Sequence, residues 1–190
     1  SEVPAELFAY VGILKAAIGL VDTQNYSYQE LFTQTDLLTG GIVPVTNIYP
    51  NITNPSERKI TFEIKGKALY PKLDVLFAMM REILMESKLG DEKRLKEILS
   101  MLKTRLQTSF LSAGHTTAVL RSLSYTSPIA RFRDITSGIG FHEVVKDLEE
   151  NFEERKELLI ENLKKIAGRI FRKENLMLSY TSAQEGLAVL

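Results

Sequence analysis

The chain has no cysteine, which removes disulfides, thiolate nucleophiles, cysteine metal sites and thiol redox chemistry. That absence leaves cytosolic and exported locations both open, and the cytoplasm is the expected compartment. There is no excess charge of either sign, since 24 basic residues balance 24 acidic ones. No net field draws the chain toward a polyanion, so neither nucleic acid nor membrane is an expected partner. Long uncharged apolar runs are missing too. The nearest, Leu7 to Val21, carries Lys15 and two glycines and follows Glu2 and Glu6, which excludes a signal peptide or a membrane span. Histidine is scarce: His115 and His142 are the only two, and neither has a second histidine at the helical spacing that places two ligands on one face.

What is present suits one domain, because 190 residues can bury a real core. Leu7, Val11, Leu14, Ile18 and Val21 recur at the helical period and predict an amphipathic helix. Ser27 with Glu30 is a capping box, and Gly40-Gly41 a left-handed stop, so a second helix is expected over 28–39. The β-branched run Ile42 to Tyr49 and the alternation of Ile60, Phe62 and Ile64 predict an antiparallel hairpin, with Asn51 to Glu57, including Pro55, as its turn. Pro44 removes a ladder donor, which marks its strand as an edge or a bulge.

Two long core helices come next. The first opens at Pro71 with the stripe Leu73, Leu76, Phe77, Met80, Ile83 and Leu84; Asp91 caps the second, with Leu95, Ile98, Leu99, Leu102 and Leu106. Further helices are expected over 115–125, over 141–150, and after a capping pair Asn151 and Glu154. Gly138 and Gly140 flank a break. A last strand is expected over Asn175 to Thr181, with Leu176, Leu178 and Tyr180 on one face. Segregated strands and helices make the class α+β, an antiparallel sheet with several long helices packed on it.

A search for chemistry assigns no catalytic, cofactor-binding or metal-binding residue. His142-Glu143 opens like a zincin motif, but Lys146 stands where the second histidine is required. Gly138-Ile139-Gly140 lacks the lysine-serine ending of a phosphate loop, and no Gly-x-Ser-x-Gly elbow exists. Arg121, Arg131 and Arg133 lie near Tyr125 and Phe132, a pattern that can present a basic and aromatic surface to an extended ligand. The simpler reading packs the aromatics and leaves the arginines solvated or paired with acids such as Asp134.

Four segments in order carry a resemblance: VDTQNYSYQELFTQTDLLTGGI, SKLGDEKRLKEILSMLKTRLQTSFLSAGH, SYTSPIARFRDITSGIGF and IFRKENLMLSYT. Together they resemble the third, non-catalytic unit of the presequence-protease-like branch of the insulinase (M16) superfamily. In that family the first unit carries His-x-x-Glu-His on the helix before the tyrosine-containing turn. The matching helix here, YVGILKAAIGLVDTQNYS, places Ile13, Ala16 and Ala17 at the three motif positions, and none can hold a metal. The resemblance therefore implies a single unit spanning 1–190, a piece of a four-unit peptidase whose opening strands lie upstream. It implies no cofactor in this chain, with zinc in the parent's catalytic unit. Its expected partners are the other units of the same polypeptide and peptide substrates enclosed in a chamber, and the isolated chain is expected to form a homo-oligomer. The rival expectation is a stand-alone α+β assembly module of the same topology without peptidase activity.

Overall fold

The computed structural model describes residues 3–54 and 57–187; Glu2 and Pro55 lie outside them. A short 3-10 turn, Ala5–Leu7, leads into α1 (Phe8–Ala17), followed by α2 (Tyr28–Leu38) and the strands β1 (Ile42–Pro50) and β2 (Arg58–Gly66). Then come α3 (Leu73–Met85), α4 (Glu92–Ser112), α5 (Gly114–Ser124), α6 (Pro128–Ser137), α7 (Ile139–Glu150), α8 (Phe152–Ile170) and the single-turn α9 (Gln184–Leu187). The class is α+β. The helices gather around α1 more than on the sheet: α4, α6, α7 and α8 all pack against it, and the hairpin touches it through β1.

The stripe read for α1 is buried in full, but so are Ala9, Ile13 and Ala17. The helix is therefore enclosed on most sides, whereas an amphipathic surface helix buries only one. Its close packing depends on Gly12, where a Cβ would lie 2.7 Å from the Thr136 carbonyl oxygen and 2.7 Å from the Phe141 ring. The helix ends at Ala17 because Ile18 is extended, at φ −61° and ψ 124°. Gly19 then takes φ 85°, a left-handed conformation that an L side chain resists.

The capping box at α2 forms as read. Ser27 Oγ accepts from the Glu30 amide, and the Glu30 carboxylate accepts from the Ser27 amide at 2.9 Å. The Tyr28 amide donates to Asp22 Oδ1 at 2.8 Å. These bonds hold α2 although Leu31 is its only buried residue. Arg94 ties α4 to the same corner, since Nε donates to the Leu20 carbonyl at 2.6 Å and the guanidinium lies 3.7 Å from the Tyr28 ring centre.

The hairpin pairs Ile42 with Gly66 through to Pro50 with Arg58, in one unbroken antiparallel register. Pro44 sits opposite Ile64 without a bulge. A two-stranded sheet leaves one edge of each strand unpaired, where a missing donor is tolerated. Phe62, on the inner face, meets Phe171 edge-on at 5.3 Å.

Several expectations differ from the fold. The segment 175–181 is no strand: Lys173–Asn175 forms a 3-10 turn, and no described segment pairs with residues 176–181. A ladder needs a neighbour, so strand-like alternation alone does not make one. Helix α6 was not foreseen, although Ser127 caps it through the Ala130 amide and Pro128 occupies its first turn. The Asn151 and Glu154 capping pair does not form; Asn151 Nδ2 turns back to the Asp147 carbonyl and carboxylate at 3.1 and 3.0 Å. On α3 the buried face runs through Met79, while Phe77 and Met80 are half-buried. Along α4, Leu95, Ile98, Leu99 and Leu102 are buried as read and Leu106 is half-buried.

Candidate functional site

The sequence Asp134-x-x-x-Gly138-Ile139-Gly140 builds a compact polar centre where α6 ends and α7 begins. Gly138 is both the last cap of α6 and the first cap of α7. The opening amides of α7 therefore lack intrahelical partners, and the Asp134 carboxylate supplies them. Its Oδ1 accepts from the Ile139 amide at 3.1 Å and its Oδ2 from the Gly140 amide at 3.2 Å. A carboxylate at a helix start is also favoured by the helix dipole.

Arg121 completes the arrangement. Its guanidinium donates to Asp134 Oδ2 at 2.7 Å, reaches Glu143 at 3.7 Å, and lies 5.6 Å from the Tyr125 ring centre. Hydrogen bonding to Asp134 raises the Arg121 pKa, against the lowering effect of burial. The Asp134 side chain is only 2% exposed, so this partner and the helix amides take the place of the water it has lost. Both glycines are required by space, because a Cβ on Gly138 would lie 2.6 Å from Asp134 Oδ1 and one on Gly140 2.7 Å from Oδ2. Both carboxylate oxygens of this centre are used by the protein itself, so it fastens α5, α6 and α7 together and offers no vacant ligand site.

Other singled-out residues are dispersed. Phe132 is buried against Phe8, ring centres 5.1 Å apart, while Arg131 and Arg133 are exposed. The basic and aromatic surface for an extended ligand is not assembled. His115 is exposed; His142 packs on Phe110 at 5.4 Å and its Nε2 is buried without a hydrogen bond among the described residues. Among those residues no three His, Cys, Asp or Glu side chains gather where they could hold a metal ion. Ile13 and Ala17, two of the positions singled out on α1 by the family resemblance, are wholly buried apolar side chains.

Two features escaped the sequence reading. Lys15, on α1, is half-buried, and burial lowers its pKa, with Arg105 adding like-charge repulsion; its place one residue from the buried Leu14 on a crowded helix was the available signal. Glu63 on β2 gathers the side chains of Asn47, Tyr49, Thr61 and Lys65 at 2.9, 2.9, 2.7 and 3.2 Å. The alternation on facing strands placed these polar residues on one face, but only the register brings them to one carboxylate.

Known proteins share much of this sequence. Residues 1–148 match the family model for the region associated with subfamily C of the M16 peptidases. The chain is 29% identical to Protein HypA of Clostridium perfringens over 97% of its own length and 19% of that protein's. It is 28% identical to the mitochondrial presequence protease of Candida albicans over 86% of this chain and 16% of that one. With presequence protease 1, chloroplastic/mitochondrial, of Arabidopsis thaliana the identity is 22% over 96% and 17%. The chain thus spans less than a fifth of the length of these relatives. With more than half its length matched, it belongs to the family of domains associated with the subfamily C peptidases of M16.

Proposed function

We propose that this chain is a non-catalytic, substrate-enclosing domain of a zinc metalloendopeptidase that degrades peptides. It forms one wall of a chamber whose zinc is held by another unit of the same polypeptide. The observation that carries this reading is α1. Where a catalytic M16 unit needs ligands and a base, Ile13, Ala16 and Ala17 stand, and Ile13 and Ala17 are closed into the core. A water molecule bound there would have no polar side chain from these three positions to hold or deprotonate it.

Membership of a peptidase-associated family and the protease names of longer relatives support the same reading. The proposed partners are the other units of that polypeptide and the peptides enclosed between them. Separated from those units, the chain associates with itself in their place. No helix among the described residues is long and apolar enough to cross a membrane. The cytoplasm is the proposed compartment, although two relatives are named for mitochondria or chloroplasts; cell fractionation decides between them.

The test compares the 190-residue chain with the polypeptide carrying its flanking units. The chain alone should hold no stoichiometric zinc after chelator-free purification and should leave a fluorogenic peptide intact. The longer polypeptide should cleave that peptide and lose activity to a chelator. A zinc held tightly by His115 or His142, cleavage by the chain alone, or a reading frame no longer than the chain would each sink the proposal.

A further inference from the structure

The segment after α8 combines three features that do not fit a settled surface loop. Leu176, Met177 and Leu178 are consecutive, large, apolar and 75%, 77% and 61% exposed. Consecutive exposed residues of this kind are unusual on a finished surface. Leu176 is extended, at φ −72° and ψ 127°, and no helix, turn or ladder intervenes before α9. Among the described residues, no backbone hydrogen bond joins residues 177–181 to anything.

The segment is nevertheless held at both ends. Asn175 Nδ2 donates to the Arg169 and Ile170 carbonyls at 2.8 and 3.3 Å, fastening it to the end of α8. At the far end the Tyr180 hydroxyl donates to the Gly186 carbonyl at 3.0 Å, and the Ala183 amide donates to the Tyr70 hydroxyl at 3.2 Å. Between these anchors the chain is bare on both its side-chain faces and its backbone edges. Apolar contact alone would cover the leucines but leave the peptide groups unpaired, whereas a neighbouring β-strand satisfies both.

We propose that residues 176–181 are a docking strand, which adds to the edge of a β-sheet formed by another part of the same, longer polypeptide. This rests on the reading of the chain as one unit of a larger peptidase. The occupant is assigned to the same polypeptide because the relatives are more than five times longer than the stretch they share with this chain. A tethered sheet edge meets the segment at a far higher effective concentration than a separate molecule does. The leucines then enter apolar cover and the free amides enter a ladder, while the two anchors keep the strand from folding back.

Amide hydrogen exchange on the 190-residue chain and on the longer polypeptide, both dilute, tests this directly. The amides of residues 177–181 should exchange freely in the chain and at least about tenfold more slowly in the longer polypeptide. Leu178→Pro, which removes a ladder donor, should lower the melting temperature of the longer polypeptide and leave that of the chain unchanged. Equal exchange in both molecules overturns the proposal. So does concentration-independent protection in the chain alone, or protection of the longer polypeptide that appears only with rising concentration, which assigns the strand to a second copy. Peptide hydrolysis is measured separately: an inactive polypeptide with protected amides would fail the peptidase reading and keep the strand, and the reverse result would do the opposite.

Discussion

Arg121 and Asp134 meet at 2.7 Å, with the carboxylate buried and the guanidinium about a third exposed. The same carboxylate holds the first amides of α7, so one side chain couples three consecutive helices. Removing it leaves a guanidinium and two helix amides without their partner. Asp134→Ala should cost about 3 kcal/mol in a urea unfolding titration. Gly140→Ala should cost about 1–3 kcal/mol by pushing the carboxylate off its amides. A Gly140→Ala protein as stable as the wild type would show that the carboxylate has room to move.

Leu99 is wholly buried on α4, whereas Glu92, on the same helix, is half exposed and reaches Lys156 of α8 at 2.8 Å. Leu99→Asp should unfold the chain, since an unpaired carboxylate in the core costs several kcal/mol, a large part of a domain's stability. Glu92→Ala breaks only an exposed ion pair and should cost less than about 1 kcal/mol. Circular dichroism melts of the two variants should separate cleanly; coincident melts would contradict the burial of this face.

Lys15 has no acidic partner among the described residues, and burial and Arg105 both lower its pKa. A lysine whose folded pKa lies below its unfolded value costs stability at neutral pH, a cost relieved as pH rises toward 10.5. Lys15→Met keeps an unbranched side chain, one heavy atom shorter, and removes the charge. It should stabilise the chain by about 1 kcal/mol, or about 2–4 °C in melting temperature. A lower melting temperature would mean that the ammonium has a partner in solution.

Burial opposes ionisation of Glu63, but hydrogen bonds from Thr61, Asn47, Tyr49 and Lys65 outweigh it and bring the pKa to about 2. The folded value lies below the ordinary 4.5, so this group stabilises the fold above that pH and loses its contribution as pH falls toward 2. Glu63→Gln should therefore weaken the hairpin by about 1–2 kcal/mol at pH 7. The gap from wild type should close between pH 4.5 and 2, followed as the melting temperature across that range. A gap of constant size would assign the loss to packing instead of charge.

Much of the local structure was legible because its causes are local. Ser27 and Glu30 cap α2 within one turn, and Asp91 caps α4 by accepting from the Arg94 amide three residues on. The stripe from Leu95 to Leu102 is buried for the same reason it was readable: the helical period aligns those side chains.

What only the tertiary structure decided depends on residues distant in the chain or on segments with no partner. The alternation of Leu176, Leu178 and Tyr180 is compatible with a strand, but a strand exists only where another backbone accepts its hydrogen bonds, and none described does. The role of Asp134 depends on α5 bringing Arg121 to it and on α7 starting within reach of its carboxylate. The enclosure of α1 by α4, α6, α7 and α8 buries faces that a single period cannot distinguish from surface. Propensity and capping act over three or four residues and can be read in order, whereas burial and pairing are set by what the rest of the chain brings alongside.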